Sequence, residues 1–244
     1  MSGYEDAVWN RELKEARTRS GESRLGISAA DRGLDNDGSQ VGYGEVTAGG
    51  VEMVLRVFRE LGSGNRAFFP LWSVKDALKL KSCLLTPSSR FLDIGSGLGK
   101  LVLHVALASG CRAAGVEILS SRVRLACAFR DLLLAQRKVP GWIAEATSFI
   151  AENAAAQRGP LLVDGAHATH VYMFSAVFSD HDLERLAARL NETRFKVLVC
   201  ALKPKQERAF SQLDSVFKAA PVEVNMAGSG QRFRMCVFIK TSSL

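Results

Sequence analysis

The stretch Arg90-Phe91-Leu92-Asp93-Ile94-Gly95-Ser96-Gly97-Leu98-Gly99 decides the fold. Its apolar start predicts a buried strand, its glycines predict a tight turn, and the apolar run Leu101-Val102-Leu103 predicts the helix that follows. A strand, a glycine turn and a helix in this order are typical of the ligand-binding half of an open α/β sheet. Gly95, Gly97 and Gly99 alternate, whereas the dinucleotide fingerprint has the spacing G-x-G-x-x-G.

The carboxylate beside this turn separates two ligand classes. Asp93 lies two residues before Gly95, where it disfavours a nucleotide phosphate and favours a cationic group. S-adenosylmethionine carries an ammonium and a sulfonium and no phosphate, so the turn predicts this cofactor and methyl transfer as the reaction. The cofactor-binding candidates here are Asp93, Gly95, Ser96, Gly97, Gly99 and Lys100. A solvated helix position is an equally good interpretation of Lys100.

Strands and helices alternate along the rest of the chain. The pattern predicts strands at 89–94, 111–117, 142–145, 169–174, 195–202, 221–226 and 232–240. Between them it predicts helices at 98–109, 120–137, 148–157, 180–190 and 205–218, preceded by helices near 5–17, 51–61 and 73–81. We therefore expect an α/β fold with a seven-stranded, mostly parallel sheet closed by a C-terminal antiparallel hairpin that turns at 227–230. Rossmann-like class I methyltransferases have this arrangement. Residues 1–85 form a small helical and loop extension, and 86–244 form the cofactor-binding domain.

Composition limits the class of protein. The 244 residues are 47% hydrophobic, enough for one full core, and contain no apolar run of the ~18 residues that a membrane helix needs. The N-terminus is acidic and lacks the apolar segment of a signal peptide. The five cysteines form no C-x-x-C pair and the four histidines show no metal spacing, which predicts reduced thiols in a cytosolic or nuclear protein without a metal site.

The net charge of +7 favours a polyanionic partner, although basic outer faces of surface helices explain it equally well. The basic residues concentrate in two segments, 122–138 and 194–208. The second segment includes Lys203, Lys205 and Arg208.

Two further strand ends supply cofactor candidates. Glu117 ends the second strand about 20 residues after the glycine turn, the place of a carboxylate that accepts hydrogen bonds from a ribose diol. A helix N-cap or an exposed charge is the alternative. Near the third strand, Ser148 is a candidate to bond the adenine amino group and Phe149 to pack on the ring. The alternative is that Ser148 caps a helix and Phe149 belongs to the core.

A segment upstream of the turn suggests a family. Gly42-Tyr43-Gly44-Glu45-Val46-Thr47 resembles the Tyr-Gly-Glu-Thr loop of the Dot1 family of histone lysine methyltransferases. The resemblance runs from about residue 42 to 118, through the glycine turn and Gly115-Val116-Glu117, and continues more weakly at Ala201-Leu202-Lys203-Pro204. It implies that Tyr43, Gly44, Glu45 and Thr47 cover the methionine end of the cofactor, with Glu45 and Asp93 on either side of its ammonium. An ordinary turn before a helix is the alternative interpretation of this segment.

The chain departs from the family after the fourth strand. Val171-Tyr172-Met173-Phe174-Ser175 stands where the family has Asn-Asn-Phe, a segment that helps to form the target-lysine channel. The catalytic candidates are therefore Tyr43, Phe174 and Ser175. An apolar channel can be built from Tyr172, Phe174, Phe178 and Phe233. Such a channel favours the neutral amine that must attack the methyl group, because desolvation lowers the pKa of a lysine.

The resemblance implies an S-adenosylmethionine-dependent protein lysine methyltransferase that acts in the nucleus on a core-domain lysine of nucleosomal histone H3. Its partner would be the nucleosome, with Lys203, Lys205 and Arg208 against DNA or an acidic histone surface. No membrane partner is expected. Two alternatives are open: an RNA or small-molecule methyltransferase of class I, and a catalytically silent binding module with the same fold. The sequence does not indicate an oligomeric state.

Overall fold

A computed structural model of the chain describes residues 11–16, 18, 46–61, 80–225 and 232–241. Tyr43, Gly44 and Glu45 of the predicted cofactor-covering loop lie outside the described residues, as do most of the predicted helix at 73–81 and the predicted hairpin turn at 227–230. Residues 11–16 are helical, inside the helix predicted near 5–17.

The described helices and strands follow the predicted alternation for most of the chain. The helices are α1 (Ala48–Glu60), α2 (Lys100–Ser109), α3 (Ser120–Ala135), α4 (Ile143–Ala146), α5 (Asp180–Glu192) and α6 (Glu207–Phe210). The strands are β1 (Arg90–Ile94), β2 (Arg112–Glu117), β3 (Thr147–Ala151), β4 (Leu162–Val163), β5 (Ala166–His167), β6 (His170–Met173), β7 (Val197–Ala201), β8 (Val216–Asn225) and β9 (Arg232–Lys240). Three 3₁₀ turns complete the list, at Lys81–Cys83, Ser175–Val177 and Pro204–Gln206.

Seven strands form the central sheet in the order β3-β2-β1-β6-β7-β9-β8. The first five strands are parallel to one another, and β9 runs antiparallel to both β7 and β8. This confirms the predicted α/β class, the seven strands and the antiparallel C-terminal end. The chain winds outward from β1 to β2 and β3, then returns to the other side of β1 with β6. The switch point of the sheet therefore lies at the carboxyl ends of β1 and β6, where open α/β sheets bind ligands.

Both faces of the sheet are buried under helices, which explains the nearly continuous apolar strands. On one face Phe91 and Tyr172 pack in a core with Phe58 of α1 and Leu103 of α2. On the other face the core is built around α5, with Leu186 as one of its fully buried side chains. Polar groups at the carboxyl edge of the sheet consequently stand out from an apolar interior.

The prediction for residues 142–157 is wrong. The structure has the short helix α4 where a strand is predicted, and β3 where a helix is predicted to begin. The register with β2, from Ala113 opposite Thr147 to Glu117 opposite Ala151, fixes the strand. Strand pairing with a distant segment therefore overrides the local pattern.

The predicted helix at 205–218 is also wrong. The structure has a 3₁₀ turn and α6, which ends at Phe210, and then a turn in which Ser215 has a φ of +51°. Strand β8 begins directly after it, because Val216 pairs with Lys240 at the far end of β9. The long antiparallel ladder with β9 takes residues that would otherwise continue the helix.

The described N-terminal helical residues are attached to the sheet domain. Leu13 and Ala16 are buried in the core, and the buried carboxylate of Glu12 pairs with Lys138, just beyond α3. Within the part of the chain that the structure describes, no helix is both long and apolar enough to cross a bilayer.

Candidate active site

The glycine turn directly follows β1. Gly95, Gly97 and Gly99 have φ values of +80°, +54° and +77°. Residues that carry a Cβ rarely adopt this left-handed region. The backbone N–H groups of Gly95 and Ser96 donate to the Val116 carbonyl over 2.8 and 3.1 Å. The turn is thus tied to the end of β2, and α2 begins immediately after Gly99.

Two glycines leave room for close packing beneath the turn. A Cβ on Gly99 would lie 2.4 Å from Cε1 of the Phe149 ring, and a Cβ on Gly115 would lie 2.5 Å from the Ser96 hydroxyl oxygen. Phe178 lies against the other side of the turn, with its Cζ 3.2 Å from a Cβ built on Gly95. The two aromatic rings therefore flank the turn, Phe178 at Gly95 and Phe149 at Gly99.

Glu117 is held over the turn by hydrogen bonds to both carboxylate oxygens. The N–H of Gly97 donates to Oε2 over 2.9 Å, and the N–H of Leu119 donates to Oε1 over 3.1 Å. Arg122 of α3 forms an ion pair with the same carboxylate at 3.6 Å, and both side chains are buried. Each carboxylate oxygen can accept more than one hydrogen bond, so Glu117 keeps acceptor capacity for a diol.

Asp93 is the second carboxylate of the site, with 4% of its surface exposed. Among the described residues, none donates a hydrogen bond to it. Burial raises its pKa well above the ordinary value, and the charge of Glu117 adds to this increase. A cation placed between the two carboxylates would reverse the effect, since an opposite charge favours the ionised form.

Two hydroxyl groups at the site are buried and find no hydrogen-bond partner in the described part of the chain. The Oγ of Ser96 and the Oη of Tyr172 have no hydrogen-bond partner among the residues that the structure describes. Tyr172 on β6 is in register with Asp93 on β1. Buried polar groups in proteins are nearly always hydrogen-bonded, so these orphan groups indicate a ligand with polar atoms of its own.

These features fit S-adenosylmethionine. The bare backbone of the glycine turn, the buried carboxylate of Asp93 and the oriented carboxylate of Glu117 match its nucleoside and its cationic amino-acid end. Glu117 would hold the ribose and Asp93 the ammonium. The comparison with known families bears on the same region of the chain: the sequence model for "Histone methylation protein DOT1" matches residues 76–211, more than half of the 244 residues.

The chain belongs to the Dot1 family of histone methylation proteins. It is an S-adenosylmethionine-dependent methyltransferase, as the turn at Gly95 to Gly99 predicts. No sequence among curated proteins matches the chain.

Solved structures confirm the class I methyltransferase fold. The chain is similar to the magnesium protoporphyrin IX methyltransferase of Synechocystis PCC 6803, solved with bound S-adenosylhomocysteine, with 11% identity and a TM-score of 0.51 over 94% of this chain and 93% of that one. It is also similar to a candidate RNA methyltransferase of Pyrococcus horikoshii, with 14% identity and a TM-score of 0.50 over 94% and 96% of the two chains. At these identities the likeness concerns the fold alone.

The adenine end of the site differs from the predicted arrangement. Ser148 and Phe149 are neighbours inside β3, so their side chains project to opposite faces of the sheet. Phe149 packs under the glycine turn, as in the alternative that assigned it to the core. Glu152, the first residue after β3, stands at the carboxyl end of this strand, and its N–H donates to the Glu117 carbonyl over 2.9 Å. Because the sequence pattern places this strand at 142–145, it does not indicate that Glu152 lies at a strand end.

The remaining predicted residues have structural contacts of their own. Lys100 is only 3% exposed, which excludes the solvated helix position. The Thr47 hydroxyl caps α1 by accepting from the N–H of Gly50 over 3.0 Å. The buried Ser175 hydroxyl donates to the Ala201 carbonyl over 2.6 Å and so joins the ends of β6 and β7. The rings of Phe174 and Phe233 meet edge to face at 4.8 Å.

Arg122 also lies at the site, although the sequence pattern places it in a basic surface segment. It belongs to the basic segment 122–138, which the charge pattern predicts to be exposed, yet its side chain is buried against Glu117. Its position in the first turn of the helix that follows Glu117 is the only sequence feature that indicates this contact.

Proposed function

We propose that the chain is a lysine methyltransferase whose substrate is a core-domain lysine of histone H3 in the nucleosome. The observation that carries the proposal is the family match over 76–211, which includes the glycine turn and Glu117. The proposal places the protein in the nucleus, since nucleosomes are there.

The aromatic side chains at the carboxyl edge of the sheet support an amine substrate. Phe174 and Phe233 form an edge-to-face pair, and Phe178 lies against Gly95 of the glycine turn. A lysine that enters between such rings loses water, which lowers its pKa and favours the neutral amine. The bound cofactor supplies an electrophilic methyl group on a sulfonium that is already a good leaving group. The work of this chain is therefore to align the amine and exclude water.

Exposed basic residues beside these aromatics support a polyanionic partner. Lys203 and Lys205 lie in the exposed segment after β7. Gln206 fixes that segment to the site, because its side-chain amide donates to the Phe178 carbonyl over 3.0 Å and its side-chain oxygen accepts from the N–H of Lys203 over 2.9 Å. The two lysines would contact nucleosomal DNA or an acidic histone surface as the lysine enters.

The experiment is methyl transfer from labelled S-adenosylmethionine to recombinant nucleosomes, free histone H3 and structured RNA, with the modified residue located by mass spectrometry. We expect label on one histone H3 lysine, with nucleosomes preferred over free histone. The double variant Lys203→Ala, Lys205→Ala should lower transfer to nucleosomes without changing cofactor affinity. Label on RNA but not on nucleosomes would assign the chain to the RNA methyltransferases. Cofactor binding without transfer to any of the three substrates would favour the silent binding module.

A further inference from the structure

Tyr172 carries a buried hydroxyl group that forms no hydrogen bond with any described residue. Its side chain is 3% exposed, and its Oη lacks a hydrogen-bond partner among the described residues. A phenylalanine would fill the same space in the core without burying an unpaired polar atom. The hydroxyl therefore has a cost to the free protein that packing does not explain.

The position of Tyr172 in the sheet relates it to the cofactor. It is in register with Asp93 on β1, and Asp93 is in register with Gly115 on β2. Register partners in a parallel sheet project to the same face, so the order across this face is Glu117 and Gly115, then Asp93, then Tyr172. The phenol lies on the side of Asp93 away from the carboxylate that would hold the ribose.

The chemistry of the phenol suits an ammonium. Burial, together with the nearby charge of Asp93, raises the pKa of the Tyr172 hydroxyl, so it stays protonated and neutral. A neutral phenol has one proton to donate and lone pairs that accept. An ammonium has three N–H donors, and a single carboxylate does not accept hydrogen bonds from all three. A cation seated beside Asp93 thus leaves donors for a second acceptor, and the phenol of Tyr172, in register with Asp93 on the neighbouring strand, is an acceptor without a partner among the described residues.

We propose that Tyr172 is a cofactor-binding residue: its hydroxyl oxygen accepts a hydrogen bond from the ammonium of S-adenosylmethionine, which lies between Tyr172 and Asp93. The hydroxyl then acquires the partner that it lacks in the free protein. The proposal rests on the cofactor alone and is independent of the histone substrate.

The test is Tyr172→Phe, measured by thermal unfolding and by calorimetric titration with two ligands. S-adenosylhomocysteine has the amino-acid end, whereas 5′-methylthioadenosine has the nucleoside and the thioether without it. We expect the melting temperature of the free variant to equal or exceed that of the wild type, because an unpaired buried hydroxyl is removed. The Kd for S-adenosylhomocysteine should rise by about five- to tenfold, and the Kd for 5′-methylthioadenosine by less than about twofold.

Thr193→Val is the matched control, because the Thr193 hydroxyl is equally buried but fully paired. It accepts from the N–H of Leu161 over 2.8 Å and donates to the Arg189 carbonyl over 2.7 Å. Its loss should lower the melting temperature and leave both Kd values unchanged. The proposal is overturned if Tyr172→Phe leaves the Kd for S-adenosylhomocysteine unchanged or weakens both ligands equally. A wild-type protein that binds neither ligand overturns the cofactor assignment and this proposal with it.

Discussion

Replacement of Gly99 by alanine tests the packing of the glycine turn. The new Cβ would lie 2.4 Å from Cε1 and 2.6 Å from Cζ of Phe149, and 3.3 Å from the Cβ of Ala126. Ordinary contacts between carbon atoms are near 3.5–4.0 Å, so the ring must move by roughly 1 Å. The residue would also have to keep a φ of +77°.

The two costs can be estimated separately. A left-handed backbone costs an alanine about 1–2 kcal/mol, and overpacking a filled site costs about 1–3 kcal/mol. Gly99→Ala should therefore lower the free energy of unfolding by about 2–5 kcal/mol, as measured by urea denaturation. The displaced ring would also disturb the backbone that faces the cofactor, so the affinity for S-adenosylmethionine should fall.

Gly159→Ala provides the matched control. Gly159 has a φ of +81°, and nothing lies within 4 Å of a Cβ built on it. This variant should lose only the backbone part, about 1–2 kcal/mol. In the Gly99→Ala background, Phe149→Leu should recover much of the packing part, which would appear as a coupling energy of about 1–3 kcal/mol. Equal losses for the two glycine variants, or strictly additive effects of Gly99→Ala and Phe149→Leu, would refute the reasoning.

Three other predictions follow from buried ionisable groups. Because burial raises the pKa of Asp93, binding of the cationic cofactor should release protons and strengthen as pH rises towards that pKa; binding enthalpies that are equal in buffers of different ionisation enthalpy would contradict this. Burial lowers the pKa of His170 to about 4 from 6.5, so stability should fall as pH drops between these values, by about 3 kcal/mol at most. His170→Asn should flatten that pH dependence in urea denaturation. The ammonium of Lys240 donates to the carbonyls of Leu190, Asn191 and Thr193 over 3.2, 2.9 and 2.8 Å. Lys240→Met should therefore cost about 2–4 kcal/mol of unfolding free energy, and a loss below about 1 kcal/mol would contradict this role.

The parts of the fold that depend on local sequence were predictable. The glycine turn after β1 and the carboxylate at the end of β2 follow from residues that are adjacent in the chain. The antiparallel C-terminal end of the sheet follows from the two strand patterns at 221–226 and 232–240 and the turn residues between them.

The parts that depend on pairing across the sheet were not predictable. Residues 143–151 contain apolar and β-branched residues that suit a helix or a strand, and only the ladder with β2 places β3 at Thr147–Ala151. The sequence pattern ends the strand at Glu145, whereas β3 ends at Ala151, so the pattern does not indicate that Glu152 lies at the carboxyl edge of the sheet. The C-terminal helix was predicted too long for the same reason, since β9 recruits residues from Val216 onward.

The site residues also fall into a group that the sequence predicts and a group that it does not. The positions of Asp93 and Glu117 follow from motif spacing, whereas the burial of Arg122 and the orphan hydroxyl of Tyr172 arise from contacts between separate strands and helices. The sequence predicts that Phe149 packs on the adenine ring or belongs to the core, and the structure places its ring beneath the turn. A sequence pattern can locate a strand end, and the neighbouring strands decide which side chains meet there.

The most direct test of the cofactor site is calorimetric titration of S-adenosylmethionine into the wild type, Glu117→Gln and Glu145→Gln, with melting temperatures to establish that each variant is folded. Glu145 is an exposed carboxylate on α4, away from the glycine turn. We expect the wild type and Glu145→Gln to bind with equal affinity, and Glu117→Gln to bind about tenfold or more weakly, because it loses charge-assisted hydrogen bonds. A wild type that does not bind, or a folded Glu117→Gln variant that binds as tightly as the wild type, would contradict the account.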